Sequence, residues 1–140
     1  FYGTIDFARS EAIKRGTTVS ICKSNDQSSC CQTSGSVCTS WSGGWIVFAN
    51  NDNDSPAVRD TSPTEEPLLR VFPALPSGYT LNNNDNFTNY ITYDRFGMAN
   101  NTGTFVFCAN SDVSKARAIT ITRTRPRIAP STETISDCEL

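Results

Sequence analysis

Six cysteines, at positions 22, 30, 31, 38, 108 and 138, constrain what this chain can fold into more than any other feature. Their number is even and no two are spaced CxxC, so zinc-site and thioredoxin spacings are absent and disulfides are the reading that fits. A disulfide-bonded domain belongs to an oxidising compartment, such as a periplasm or the outside of a cell. Six cysteines permit about 15 pairings, and sequence alone does not choose among them. From Ser24 to Ser40 the chain is Ser, Gln, Asn, Thr and Cys with scarcely an aliphatic side chain, which reads as a loop held by cross-links rather than by a core. Cys22, Cys30, Cys31 and Cys38 are therefore expected to pair among themselves. The vicinal Cys30 and Cys31 have only Lys23 as a nearby cation, not the positive setting that a reactive thiolate needs. Cys108 is expected to join Cys138, because tying a strand to the tail fixes a segment with little to bury.

The chain has no histidine, which removes Ser-His-Asp and Cys-His catalysis, histidine metal clusters and a histidine pH switch. Its 140 residues, 37% of them hydrophobic, suit one domain with one core. Phe1, Ile5, Ala8 and Ala12 recur at helical spacing, and Lys14, Arg15 and Gly16 supply a basic last turn and a stop. No capping residue stands ahead of Phe1, so residues 1–16 are expected to be the end of a truncated N-terminal helix that extends upstream. Short strands follow: "TTVSICKS", "GWIVFAN" with both faces apolar and hence central, "LLRVFPAL" up to Pro73, "PSGYTL", and an expected hairpin joining Ile91 and Tyr93 to Phe105, Val106 and Phe107. The last strand is "KARAITITRTR". The sum is α+β, one helix covering antiparallel sheets of roughly seven strands, with residues 17–128 as the β-rich part and 129–140 as a tail tied down by Cys138.

The acidic stretch from Asn50 to Pro67 holds Asp52, Asp54 and Asp60, a donor set for a hard cation. The calcium-loop register fails, since Ser55 and Thr61 stand where Gly and Glu are needed, and a solvated acidic loop is the expectation. Glu65 and Glu66 are adjacent and point apart, so they read as surface rather than as an acid and base pair. No catalytic group, metal or cofactor is expected. The basic residues are concentrated: Lys115, Arg117, Arg123, Arg125 and Arg127 lie in a stretch with no acid, so with a net charge of −2 the rest of the chain sums to −7. If the strand continued, Arg123, Arg125 and Arg127 would share one face as a comb for phosphates. Pairing with the acidic loop, the tail or a neighbouring subunit is the alternative. Trp41, isolated in the polar loop, is a candidate partner contact or a lid over the core. The Asn-x-Ser/Thr sites at Asn53, Asn86 and Asn100 would matter only on a eukaryotic secretory route.

"FARSEAIKRGTTVSIC", "WSGGWIVFAN", "EEPLLR", "GTFVFCAN", "ARAITI" and "TRPR", in that order from Phe1 to about Ile128, resemble the minor pilins and pseudopilins of the FimT, FimU and GspH kind, FimU above all. The most specific piece is "ARSEAIKRG" followed by "GWIVFAN" at this separation. The resemblance implies a pilin-like α+β fold, with a hydrophobic helix ahead of Phe1 that serves first as inner-membrane anchor and then as filament core. It implies that other minor and major pilins are the partners. The head would lie in the periplasm before assembly and in the extracellular filament or its tip afterwards. A disulfide-closed C-terminal segment is similar to that of major pilins.

Three functions divide such proteins. FimU-like members prime pilus assembly and remain near the tip, GspH-like members belong to the type II secretion pseudopilus, and FimT-like members bind DNA through a Gly-Arg-x-Arg motif. In "TRPR", Arg125 and Arg127 match the two arginines of that motif, whereas Thr124 stands in place of its glycine. The leading expectation is a non-enzymatic minor pilin, with weak DNA binding through the arginines or a secretion pseudopilin as the alternatives.

Overall fold

The computed structural model describes residues 1–31, 38, 40–83, 85–128 and 138. Helix α1 spans Tyr2–Arg15 and ends at Gly16, whose φ of 64° is the left-handed turn that glycine adopts without a Cβ penalty. The amides of the cap reach back to the carbonyls of Ala12 and Ile13, satisfying two of the helix's last acceptors. Thr4, Ile5, Ala8 and Ala12 form the buried stripe. The two alanines let the helix axis come close to the strands beneath.

Among the described residues, eight strands make two antiparallel sheets. The first contains β1 (Val19–Lys23), β2 (Trp45–Ala49), β3 (Leu68–Phe72) and β5 (Tyr90–Tyr93) in the order β3-β2-β1-β5. The second contains β4 (Tyr79–Asn83), β6 (Gly103–Ala109), β7 (Arg117–Ile121) and β8 (Pro126–Ile128) in the order β4-β6-β7-β8. Every residue of β2 is buried, as its two apolar faces require of an interior strand.

Period-two alternation sorts the strand side chains into an inner and an outer set. Val19, Ile21, Val47, Ile91, Phe105 and Ile121 point inward and join the helix stripe in one continuous core. Aromatic rings fill the join between the sheets: Phe1 lies 5.0 Å from the Trp45 ring and 4.7 Å from Phe105, and Trp41 sits edge-on to Phe105 at 5.4 Å. The outer faces carry two smaller clusters. Ile46, Phe48 and Cys22 are covered by Cys30 and Ala57, while Val106, Cys108 and Ala118 are covered by Ala116 and Cys138.

The disulfides follow from this layering. Cys22 is bonded to Cys30, Cys31 to Cys38, and Cys108 to Cys138. Two of the three bonds thus join an outward-facing strand residue to the segment lying over it. The tail expected at 129–140 and the centre of the polar loop at 32–37 lie outside the described residues, apart from Cys138.

The hairpin expected between β5 and β6 does not form, because the two strands belong to different sheets. Their connection turns back on β5 only far enough to bridge Tyr93 with Ala99 and to donate Asn100 N to Thr92 O at 2.8 Å, and then crosses to the second sheet. The last expected strand, 115–125, is shorter than its pattern: β7 ends at Ile121, the chain turns over 122–125, and β8 then pairs back on β7 with Ile121 opposite Pro126.

Ala8 is fully buried on the face of α1 that meets the strands, so Ala8→Leu is expected to destabilise the protein by about 1–3 kcal/mol through overpacking. A urea denaturation midpoint equal to that of the wild type would contradict this packing.

Candidate functional site

The five cations singled out in the sequence do not form a row. Lys115 ends a short 3-10 turn capped by Asp112, whose side chain accepts from Ser114 N at 3.0 Å. Arg117 opens β7, and its guanidinium donates to its own neighbours' carbonyls, Ala116 O at 3.0 Å and Lys115 O at 3.4 Å. Arg123 and Arg125 lie in the turn between β7 and β8, and Arg127 lies on β8 opposite Thr120. The comb is therefore corrected. Thr122 Oγ1 donates to Arg125 O at 2.8 Å and accepts from Thr124 N, and buried Pro126 starts the return strand, so the chain reverses where a continued strand would have aligned three arginines. Lys115 and Arg117 sit at one end of β7 and the turn at the other, about 15–20 Å apart at strand rise.

Arg123, Arg125 and Arg127 are all exposed, and among the described residues none of the five cations forms an ion pair. Thr124 sits where a glycine would ease a left-handed turn, yet positive φ among the described non-glycine residues falls at Gln27, Asn53, Asn110 and Ser111. This turn needs no glycine.

The cation that organises the acidic insertion is Arg59, which the sequence reading did not single out. The residue is 7% exposed, and its guanidinium donates to Glu66 O at 2.9 Å, Ser28 O at 3.0 Å and Glu65 Oε1 at 2.7 Å. It ties the insertion to the cysteine loop. The surface expectation for Glu66 is corrected as well: it is buried and its carboxylate accepts the backbone amides of Asn51 and Asp60. Burial raises its pKa against those two hydrogen bonds. Asp52, Asp54 and Asp60 bring their carboxylate oxygens within 4.8 Å of one another, a set that could chelate a hard cation. A hydrogen bond that the protonated Asp60 carboxyl donates to Asp52, then burial and the charges of Asp52 and Asp54, raises the pKa of Asp60.

Trp41, expected as a partner contact or a core lid, is fully buried and donates from Nε1 to Phe87 O at 2.9 Å. It belongs to the core and offers no contact surface. Lys23 lies 6.0 Å from the centroid of the Trp41 ring, and burial lowers its pKa. The hydroxyl of Tyr93 is buried without a hydrogen-bond partner among the described residues, and its pKa is raised chiefly by burial. Among the described residues no helix is long and apolar enough to cross a membrane.

The sequence profile described as "Type II transport protein GspH" matches residues 1–124. No curated protein matches the chain. Two crystal structures of the type IV minor pilin FimU from Pseudomonas aeruginosa (strain PAO1) share the fold. The P21 form gives a TM-score of 0.67 at 19% identity over 98% of this chain and 88% of that one. The P65 form gives 0.66 at 19% identity over 98% and 93%.

The crowded carboxylates predict a pH response of definite sign. A carboxyl whose pKa is raised by folding holds its proton more tightly in the folded state, so its ionised form disfavours the fold at neutral pH and acidification relieves this. Asp60→Asn keeps a donor toward Asp52 and removes the charge. It is expected to raise Tm at pH 7, and the gain over wild type should shrink as pH falls into the carboxylate range. A lower Tm at pH 7 would contradict the crowding.

Proposed function

The chain belongs to the family of the type II transport protein GspH, and on that premise we propose that it is a minor pilin, which assembles with other minor pilins to prime a type IV pilus and stays near its tip. The family's members are structural subunits, not enzymes. The observation that carries this reading is the likeness to a type IV minor pilin along 98% of this chain, helix α1 included. Two further features support it. The helix buries one stripe in its own head while Tyr2 and Ile13 stay partly exposed off that stripe, and the loops are held by cross-links. In this reading residues 1–140 act as one pilin head, facing the periplasm before assembly and lying in the filament afterwards.

The purified head is expected to co-elute with heads of minor pilins encoded beside its gene. A strain lacking the gene should lose surface pili while secreting normally. A secretion defect with intact pili would assign the protein to a pseudopilus instead.

A second reading rests on the exposed arginines of the β7–β8 turn and of β8, which lack ion pairs among the described residues. They would contact phosphates of duplex DNA without reading bases. Changing Arg123, Arg125 and Arg127 together to Gln should then flatten the slope of log affinity against log salt by about 2–3. Absence of any gel shift by the wild type at low salt removes this reading.

A further inference from the structure

The connection after β5 displays the most exposed large apolar side chain among the described residues, Phe96, at 68% exposure. It is held out on a fixed turn. Asp94 Oδ1 accepts Phe96 N at 2.9 Å and Met98 N at 3.0 Å, and Asp94 O accepts Gly97 N at 2.9 Å. The turn leans on α1 through Gly97, whose carbonyl accepts Arg9 Nε at 3.1 Å. At φ +77°, with Ile13 Cδ1 only 2.7 Å from where a Cβ would stand, position 97 favours glycine. The buried glycine leaves its neighbours Phe96 and Met98 facing outward, and Ile13, at 46% exposure, flanks the turn on the helix. Arg95 lays its guanidinium over the Phe96 ring at 4.8 Å. An aromatic, a methionine and an arginine on a rigid protrusion are the composition of a contact centre.

The same chain carries a concavity of opposite charge. A pocket of about 380 Å³ in the acidic insertion is lined by Asp52, Asp60, Ser62, Pro63, Thr64 and Glu66, among others. Asp52 and Asp60 crowd each other there, and the cation of the insertion, Arg59, is already engaged by Glu65 and by two carbonyls.

We propose that the Arg95–Phe96 protrusion of one copy docks into the Asp52–Asp60 pocket of a second copy. Phe96 fills the concavity over Pro63, and Arg95 meets the two crowded carboxylates, where a guanidinium satisfies charge that the insertion leaves unbalanced. Protrusion and pocket are different surfaces, so the contact is heterologous, head to tail. It goes beyond the pilus reading, since it concerns copies of this chain alone and holds for a pilus or a secretion subunit.

Sedimentation velocity of the whole chain at low salt, up to about 1 mM, should show concentration-dependent self-association that weakens with added salt. F96A and R95E should each weaken it at least tenfold, with circular dichroism unchanged because both side chains are exposed. R95E alone and D60R alone should stay monomeric, and an equimolar mixture should associate, since each supplies the charge that the other lacks. A photoreactive phenylalanine analogue at position 96 should cross-link to residues 51–66 of another copy. A monomer at every concentration, association untouched by F96A, failure of the mixture to associate, or cross-links to another segment would each overturn the proposal. So would a chain that is monomeric alone and cross-links at position 96 only to a different pilin head.

Discussion

The inner faces of two antiparallel sheets meet beneath one helix, and the contact of Ile5, Ala8 and Ala12 with them sets the position of every other element. A helix with leucines at those positions would stand farther from the strands and open the join, whereas two alanines let the backbone settle close. Phe1 then closes the end of the join against Trp41, Trp45 and Phe105. Of the polar atoms caught inside, Trp45 Nε1 donates to Thr4 Oγ1 at 3.2 Å, so the helix is held by a specific hydrogen bond as well as by apolar area, whereas the Tyr93 hydroxyl has no partner among the described residues. Because both sheets share this one layer, moving the helix would disturb the register of the two together.

Covering the inner faces leaves the opposite faces of the sheets apolar as well, at Ile46 and Phe48 on one and Val106 and Cys108 on the other. With α1 the only α-helix among the described residues, there is no second helix to shield them. The chain uses irregular segments instead, and these have too few apolar side chains to stay down unaided. Cross-links supply what burial does not. Closing the 30-residue separation between Cys108 and Cys138 stabilises by about 3–4 kcal/mol in the chain-entropy view, more than Cys138 alone would gain by packing. Asn82 Nδ2 donating to Cys138 O at 2.7 Å then fixes where the cross-linked residue lies along β4.

What could be read in advance is what local periodicity encodes. Trp45, Val47 and Ala49 against Ile46 and Phe48 can only be a strand with two covered faces, and Lys14-Arg15-Gly16 can only be a helix end. The errors came where a long-range contact decided the outcome. The arginine comb assumed that a strand continues until its pattern stops, whereas the Thr122 hydroxyl and Pro126 turn the chain one residue after Ile121. For Trp41 the sequence offers either a partner contact or a lid over the core, because Ser and Gly surround it there; Phe1, Phe87 and Phe105 surround it in space, and it is core. Glu66 read as surface and Arg59 was not singled out, since no local pattern announces that a guanidinium will be buried under a backbone carbonyl seven residues away. Phe96 was not singled out, since no local pattern between Tyr93 and Phe105 marks an aromatic side chain that will be held outward.

The loops that face outward share one device. Asp26 accepts Ser28 N and Ser29 N at 2.8 Å, Asp94 accepts Phe96 N and Met98 N, and Asp112 accepts Ser114 N. Hydrogen bonds led by those from Ser29 and Ser114 hold Asp26 and Asp112 below the usual carboxylate range, so both stay ionised to lower pH than a free carboxylate would. A subunit that works by contact gains from this in a specific way. Ordering a flexible loop at an interface costs about 0.5–1.5 kcal/mol for each immobilised side chain, and a turn already fixed by its own aspartate incurs less of that cost on docking. With only one methionine in the chain and many of its protruding turns pinned by short polar side chains, the surface is better suited to a few defined neighbours than to adaptable binding.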